Sequence, residues 1–98
     1  MTVRHVVCFT WADDAPPAAI AATEEALRAL PDLIAEVQAF SVGPDLGLAA
    51  GTSDLALVAD FEDAQGWQRY QDHPEHQRVV VEHVRPILAT RAAVQFEL

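Results

Sequence analysis

The amino-acid sequence predicts an α+β fold, in which strands and helices follow the order β-α-β-β-α-β within a single domain, residues 1–98. Three observations predict it. Four separate stretches are typical of strands, and in three of them alternate residues form a mostly apolar face, which is the period of a strand. The intervening long segments space their apolar residues as one helical face does. Prolines and glycines separate the segments from one another.

The first strand is predicted over residues 2–11, and a helix follows it. One face of this strand carries Val3, His5, Val7, Phe9 and Trp11. His5 therefore points in the same direction as four apolar side chains. The residues that favour a helix start are Asp13, Asp14, Pro16 and Pro17. The alanine-rich helix is expected to run to Leu30 and to end at Pro31, before a short turn over residues 32–36.

Two further strands are predicted in the middle of the chain. The second covers residues 37–42 and is stopped by Gly43 and Pro44. A loop with small residues and two glycines occupies 44–53. The third strand covers 54–61, and the two acids that follow it favour the beginning of a helix.

The last part of the sequence predicts a broken helix and a fourth strand. The helix reaches about Gln71 and breaks at His73, because a residue that precedes proline is disfavoured in the α region. A second helical segment begins at Pro74 and is closed by Pro86. Residues 89–98 form the fourth strand. The order is that of a ferredoxin-like fold with a four-stranded antiparallel sheet.

Apolar residues on both faces of the strands predict a homodimer. Val6 and Cys8 lie opposite the His5 face, and the third strand is apolar on both sides. Two helices cover only one face of the sheet, so we expect the sheet of a second copy to cover the other. A chain of this length buries about 60–70% of its unfolded surface and gains much from pairing.

The charge of the chain argues against several classes of partner. Fifteen acids stand against six basic residues, and the net charge is −9. Nucleic-acid binding requires clustered cations, and an anionic membrane surface attracts them, so neither partner is expected. The single Cys8 excludes an internal disulfide and a multi-cysteine metal site. No leader pattern or membrane-length apolar run is present, and the cytoplasm is the expected location.

Histidines and a tyrosine form the candidate site. Three of the four histidines fall between 73 and 83, and His76 shares a helical stripe with valines. Tyr70 lies three residues after Trp67, so the two share a face. We expect His76 and Tyr70 to face a space between helices and sheet, to which the first strand also brings His5. The expected substrate-binding residues are His73, Trp67, Phe9, Val7 and Val80.

The residue types suggest acid–base chemistry without a cofactor. A desolvated imidazole stays neutral and can act as a general base, which is the role we assign to His76. The Tyr70 phenol can stabilise an oxyanion, and His5 can orient a substrate. The alternative is that these are hydrogen-bonded core residues. His73 and His76 resemble a metal-ligand pair, yet no His-Glu-x-x-His pattern is present and no metal is expected.

Several strings of the sequence resemble the stress-responsive A/B barrel (Dabb) family. The strings are Arg4-His5-Val6-Val7, Gly43-Pro44, Phe61-Glu62-Asp63 and Tyr70-x-x-His73-Pro74-x-His76. The resemblance spans nearly the whole chain. It implies ferredoxin-like protomers that pair their sheets into a dimeric α/β barrel.

The resemblance also suggests an activity. The olivetolic acid cyclase branch of the family catalyses a cofactor-free intramolecular aldol condensation of a linear polyketide. By this resemblance His76 matches the general base, Tyr70 the hydroxyl beside the oxyanion, and His5 and His73 histidines in and next to the site. Leu55 stands where that cyclase, a plant enzyme, has a further histidine near its cavity. Three functions follow as hypotheses: a cyclase or aldol-type lyase, a non-catalytic stress-associated barrel, and a cofactor-free monooxygenase.

Overall fold

The computed structural model describes all residues, 1–98, as one sheet with helices packed on one of its faces. Its elements are β1 (Val3–Trp11), α1 (Pro17–Leu33), β2 (Ala39–Pro44), β3 (Leu55–Phe61), α2 (Ala64–Asp72), α3 (Pro74–Val79) and β4 (Leu88–Glu97). A π-helical turn (Val80–Val84) and a 3₁₀ turn (Arg85–Ile87) connect α3 to β4.

The sheet has the strand order β2-β3-β1-β4, and all neighbouring strands are antiparallel. This confirms the predicted ferredoxin-like fold. β1 lies in the interior of the sheet, where His5 is paired with Ala59 on one side and with Gln95 on the other. Paired residues share a face, so His5 and Gln95 both lie on the face that the helices approach.

The two faces of the sheet differ in burial. On the inner face, alternate residues of β1 and β3 are buried, as the sequence predicts. Leu30 of α1, Ile34 at the end of that helix and Phe61 of β3 are fully buried between the helices and the sheet. The outer face has no cover within the chain, and Val94 and Phe96 are exposed there to 54% and 45%.

The first helix differs from the prediction at both ends. It starts at Pro17, and no side chain caps it, so the prolines start the helix without help from Asp13 or Asp14. It then continues through Pro31 to Leu33. Pro31 lies in the last turn, and the Ile34 N–H donates to the Leu30 carbonyl at 2.9 Å beyond it.

β2 lies two residues later than predicted. Its pairing with β3 sets its position, with Ala39 opposite Asp60 and Pro44 opposite Leu55. Gly43 and Pro44 therefore belong to this edge strand, where a proline costs no ladder hydrogen bond if its missing N–H faces away from the neighbour.

The broken helix was predicted correctly, and the π turn was not. Asp63 caps α2 by accepting from the Gly66 N–H at 2.7 Å. His73 ends α2 and is also the cap of α3. The segment then widens, and the Arg85 N–H reaches back five residues to the Val80 carbonyl. No helix of the chain has the length and apolar character needed to cross a membrane.

Candidate functional site

A cavity of about 260 Å³ lies between the inner face of the sheet and the segment that runs from α2 to the π turn. Thirteen residues line it, of which eight are hydrophobic. Six of the predicted site residues are among them: His5, Val7, Phe9, Tyr70, His76 and Val80. β1, α2, α3 and the π turn thus bring the expected imidazoles and phenol to one hollow.

The ring of His5 is fixed by two hydrogen-bond donors. Its Nδ1 is 3.3 Å from Nε1 of Trp67 and 2.8 Å from Nε2 of Gln95. An indole N–H can only donate, so Nδ1 is the accepting nitrogen and the proton of the neutral ring lies on Nε2. Burial, and then the charge of Arg91 and the neighbouring His76, lower the pKa of His5 to about 4. His5 is therefore a neutral N–H donor at pH 7.

Tyr70 lies among aromatic rings at the centre of the site. Its ring centroid is 4.5 Å from that of His76, 5.0 Å from that of Phe61 and 6.3 Å from that of His5. Burial alone raises the pKa of the phenol, with no hydrogen bond or charge contributing. The hydroxyl consequently keeps its proton at neutral pH and has that proton available to donate.

His76 carries a buried nitrogen without a partner. Its Nδ1 makes no hydrogen bond within the chain. Burial lowers the pKa of this imidazole, the backbone of Gln71 opposes the change, and Arg91 and His73 add to it. A neutral imidazole with an unpartnered nitrogen can accept a proton or a hydrogen bond from a bound molecule.

Two of the expected substrate-binding residues do not line the cavity. Trp67 packs behind His5, with the two ring centroids 6.1 Å apart, and donates to it. His73 points toward its own helix, where its Nδ1 accepts from the Glu75 N–H at 3.1 Å. Both side chains act within the structure instead: Trp67 fixes the His5 tautomer, and His73 caps α3.

Seven lining residues were not predicted as site residues: Leu27, Leu57, Gln71, Val84, Arg85, Leu88 and Arg91. Val84 could have been found from the helical stripe that it shares with His76. Arg91 lies directly opposite Phe9 in the β1–β4 pair. Only the register of β4 reveals this position, because it decides which face of the strand meets the helices. No group of three His, Cys, Asp or Glu side chains is placed to hold a metal ion.

Fold and site together define a ferredoxin-like α+β protein with an internal pocket between its helices and its sheet. The family model described as Stress responsive A/B Barrel Domain matches residues 3–98, and the chain belongs to this Dabb family. A comparison with curated proteins finds no match.

Solved structures resemble the chain over nearly its full length. A dimeric ferredoxin-like protein of unknown function from Thermobifida fusca is 43% identical, with a TM-score of 0.92, and the match covers 100% of this chain and 92% of that one. A Dabb family protein from Mesorhizobium loti is 18% identical, with a TM-score of 0.83 and coverage of 99% and 96%. Hydroxynitrile lyase from Passiflora edulis is 17% identical, with a TM-score of 0.87 and coverage of 99% and 93%. The last two share the fold.

Proposed function

We propose that this protein is a homodimeric, cofactor-independent catalyst of aldol-type carbon–carbon bond formation or cleavage on a small keto compound. Ring closure of a polyketide-like chain is one form of this chemistry. The observation that carries the proposal is the mostly apolar hollow, in which the buried Nδ1 of His76 has no partner and the Tyr70 ring lies beside it. An unsatisfied buried polar group costs about 1–3 kcal/mol, and a ligand in the cavity removes that cost.

His76 is the proposed general base. In the condensing direction it takes a proton from the carbon next to a carbonyl, and the resulting enolate carbon forms a bond to a second carbonyl carbon. The alkoxide then takes the proton back from the imidazolium. In the cleaving direction His76 takes the hydroxyl proton, the carbon–carbon bond breaks, and the enolate is protonated. General-base assistance of this kind contributes about 10²–10⁴ in rate.

Tyr70 and His5 are the proposed donors to the oxygen that becomes negative. The raised pKa of Tyr70 keeps the phenol protonated, and the lowered pKa of His5 keeps its ring neutral with the proton on Nε2. Neutral donors that the fold holds in place stabilise a developing oxyanion by hydrogen bonds and keep their protons. The two imidazoles differ in their Nδ1 atoms, because that of His5 already accepts from Trp67 whereas that of His76 has no partner.

The proposal includes pairing through the outer face of the sheet. Val6 is paired with Val58 on one side and with Val94 on the other, so a row of valines crosses three strands on this face. Phe96 extends the apolar surface and is 45% exposed. Burial of such a surface by a second copy is favourable. The relative from Thermobifida fusca is described as dimeric, which supports the same assembly here.

The similarity to a hydroxynitrile lyase supports the choice of reaction class, because that protein shares the fold and is named a lyase. We also propose the cytoplasm as the location of the protein.

The test is the cleavage of diacetone alcohol, a small β-hydroxy ketone, to acetone under anaerobic conditions. The wild type should accelerate it over buffer, and His76→Ala should lose about 10²–10⁴ of that acceleration while its melting temperature stays within a few degrees. His83→Ala is the matched control, because His83 lies nearby on the π turn but outside the cavity lining. It should keep the wild-type rate.

Equal rates for the wild type and for buffer, with this alcohol and with longer β-hydroxy ketones, would overturn the proposed catalysis. Ligand binding without turnover would leave the non-catalytic barrel as the function. Turnover that requires oxygen would point to the monooxygenase class.

A further inference from the structure

The arginines of this acidic chain fall into two groups. Four of the six form ion pairs, with closest contacts of 2.8 Å for Arg4 to Asp60, 3.7 Å for Arg28 to Glu24, 3.3 Å for Arg69 to Glu36 and 3.0 Å for Arg78 to Glu75. Arg85 and Arg91 form none. In a chain with fifteen acids and six basic residues, an arginine without an acidic partner is unexpected. The position of these two arginines therefore bears on what they bind.

Both unpaired arginines line the cavity that contains His5, Tyr70 and His76. They reach it from different elements, Arg85 from the 3₁₀ turn and Arg91 from the inner face of β4. No aspartate or glutamate is among the lining residues. The pocket therefore has positive charge at its edge, in a molecule whose overall charge is −9.

We infer that the ligand is a small keto or hydroxy acid, whose carboxylate binds Arg85 and Arg91 while its carbonyl end enters the apolar hollow. This inference rests on the proposed function and names the substrate class of the same site. A guanidinium is a planar fork that matches a carboxylate with two hydrogen bonds. The remaining wall is mostly hydrocarbon, which suits the carbon chain of the acid.

The size of the cavity agrees with a short acid. Small-molecule sites measure about 300–1,000 Å³, and this one is about 260 Å³.

The two arginines are exposed, so their attraction for an anion depends on ionic strength. The charge also acts on the reacting groups, since Arg91 lowers the pKa of both His5 and His76. A bound carboxylate offsets that effect.

The test compares levulinate, a stable keto acid, with its uncharged methyl ester by isothermal titration calorimetry. The wild type should bind the acid about tenfold or more tightly than the ester, and salt should weaken the preference. Arg91→Gln and Arg85→Gln should each reduce the preference. Arg78→Gln is the matched control, since it removes the same charge from an exposed ion pair outside the cavity, and it should keep the preference.

Equal affinities for acid and ester, an unchanged preference in both arginine variants, or no binding of levulinate would overturn the inference. The experiment measures binding and not turnover, so its result does not depend on the proposed catalysis. Arginine-dependent binding with no cleavage of diacetone alcohol would support the acid-binding site and contradict the lyase. Cleavage of diacetone alcohol without a preference for the acid would support the lyase and contradict the acid-binding site.

Discussion

One region of the layer between helices and sheet is filled, and another is hollow. The side chains of Leu30, Ile34 and Phe61 are fully excluded from solvent. The same layer opens around His5 and His76 into a cavity of about 260 Å³. Tyr70 belongs to both regions, because its ring packs on Phe61 on one side and on His76 on the other.

The comparison shows which region of the fold is less stable than a filled core would be. A filled core gains dispersion contacts on all sides, whereas the lining of a hollow loses them on one side. The hollow also contains the buried Nδ1 of His76, which has no partner and which a purely structural core would replace by hydrocarbon or pair. The filled region holds the fold together, and the hollow region is available for a ligand.

Acid should destabilise the protein through the hollow region. His5 has a folded-state pKa of about 4 against 6.5 for the free side chain. Between these values the unfolded chain binds the proton and the folded chain does not, so stability is full above pH 6.5 and falls as the pH drops toward 4. This ring alone should lower the free energy of unfolding by about 3 kcal/mol over that range. Urea titrations at several pH values measure it.

The matched variant for this prediction is His5→Gln, which keeps a polar side chain and removes the titration. Its stability should depend less on pH between 6.5 and 4, by about the same 3 kcal/mol. An identical pH dependence in the variant and the wild type would contradict the burial of a neutral His5.

Substitutions at two adjacent valines should distinguish the filled region from the hollow one. Val79 is fully buried in the core, whereas Val80 lines the cavity. Val79→Phe should therefore destabilise the protein by about 2 kcal/mol through overpacking. Val80→Phe should change the free energy of unfolding by less than about 1 kcal/mol and block levulinate binding. Equal costs for the two variants, measured by urea titration, would mean that the cavity is not open in solution.

Much of the fold follows from local patterns in the sequence. The alternation in β1 places His5 on the buried face, and His73-Pro74 marks the break between α2 and α3. Local patterns do not set the register of an edge strand, which is why β2 was predicted two residues early. They also do not predict the π turn, because one wider turn of five residues changes the spacing of the apolar residues too little to be recognised.

The candidate site was predictable where it depends on one face of one element. His5, Tyr70 and His76 follow from strand alternation and helical spacing. Trp67 was placed in the binding site because it shares a helical face with Tyr70, but the structure directs its N–H to His5. Arg91 was missed because its place depends on the pairing of β4 with β1, which brings together residues more than eighty positions apart in the sequence.

The proposed catalysis requires His76 to remove a proton next to a carbonyl in this hollow. Proton NMR of butanone in D₂O tests it directly, because a general base exchanges the hydrogens beside the carbonyl for deuterium even when no carbon–carbon bond forms. We expect those signals to disappear faster with the wild type and with His83→Ala than in buffer. A folded His76→Ala variant should show the buffer rate. Exchange at the buffer rate with the wild type, or at the wild-type rate with His76→Ala, would contradict it.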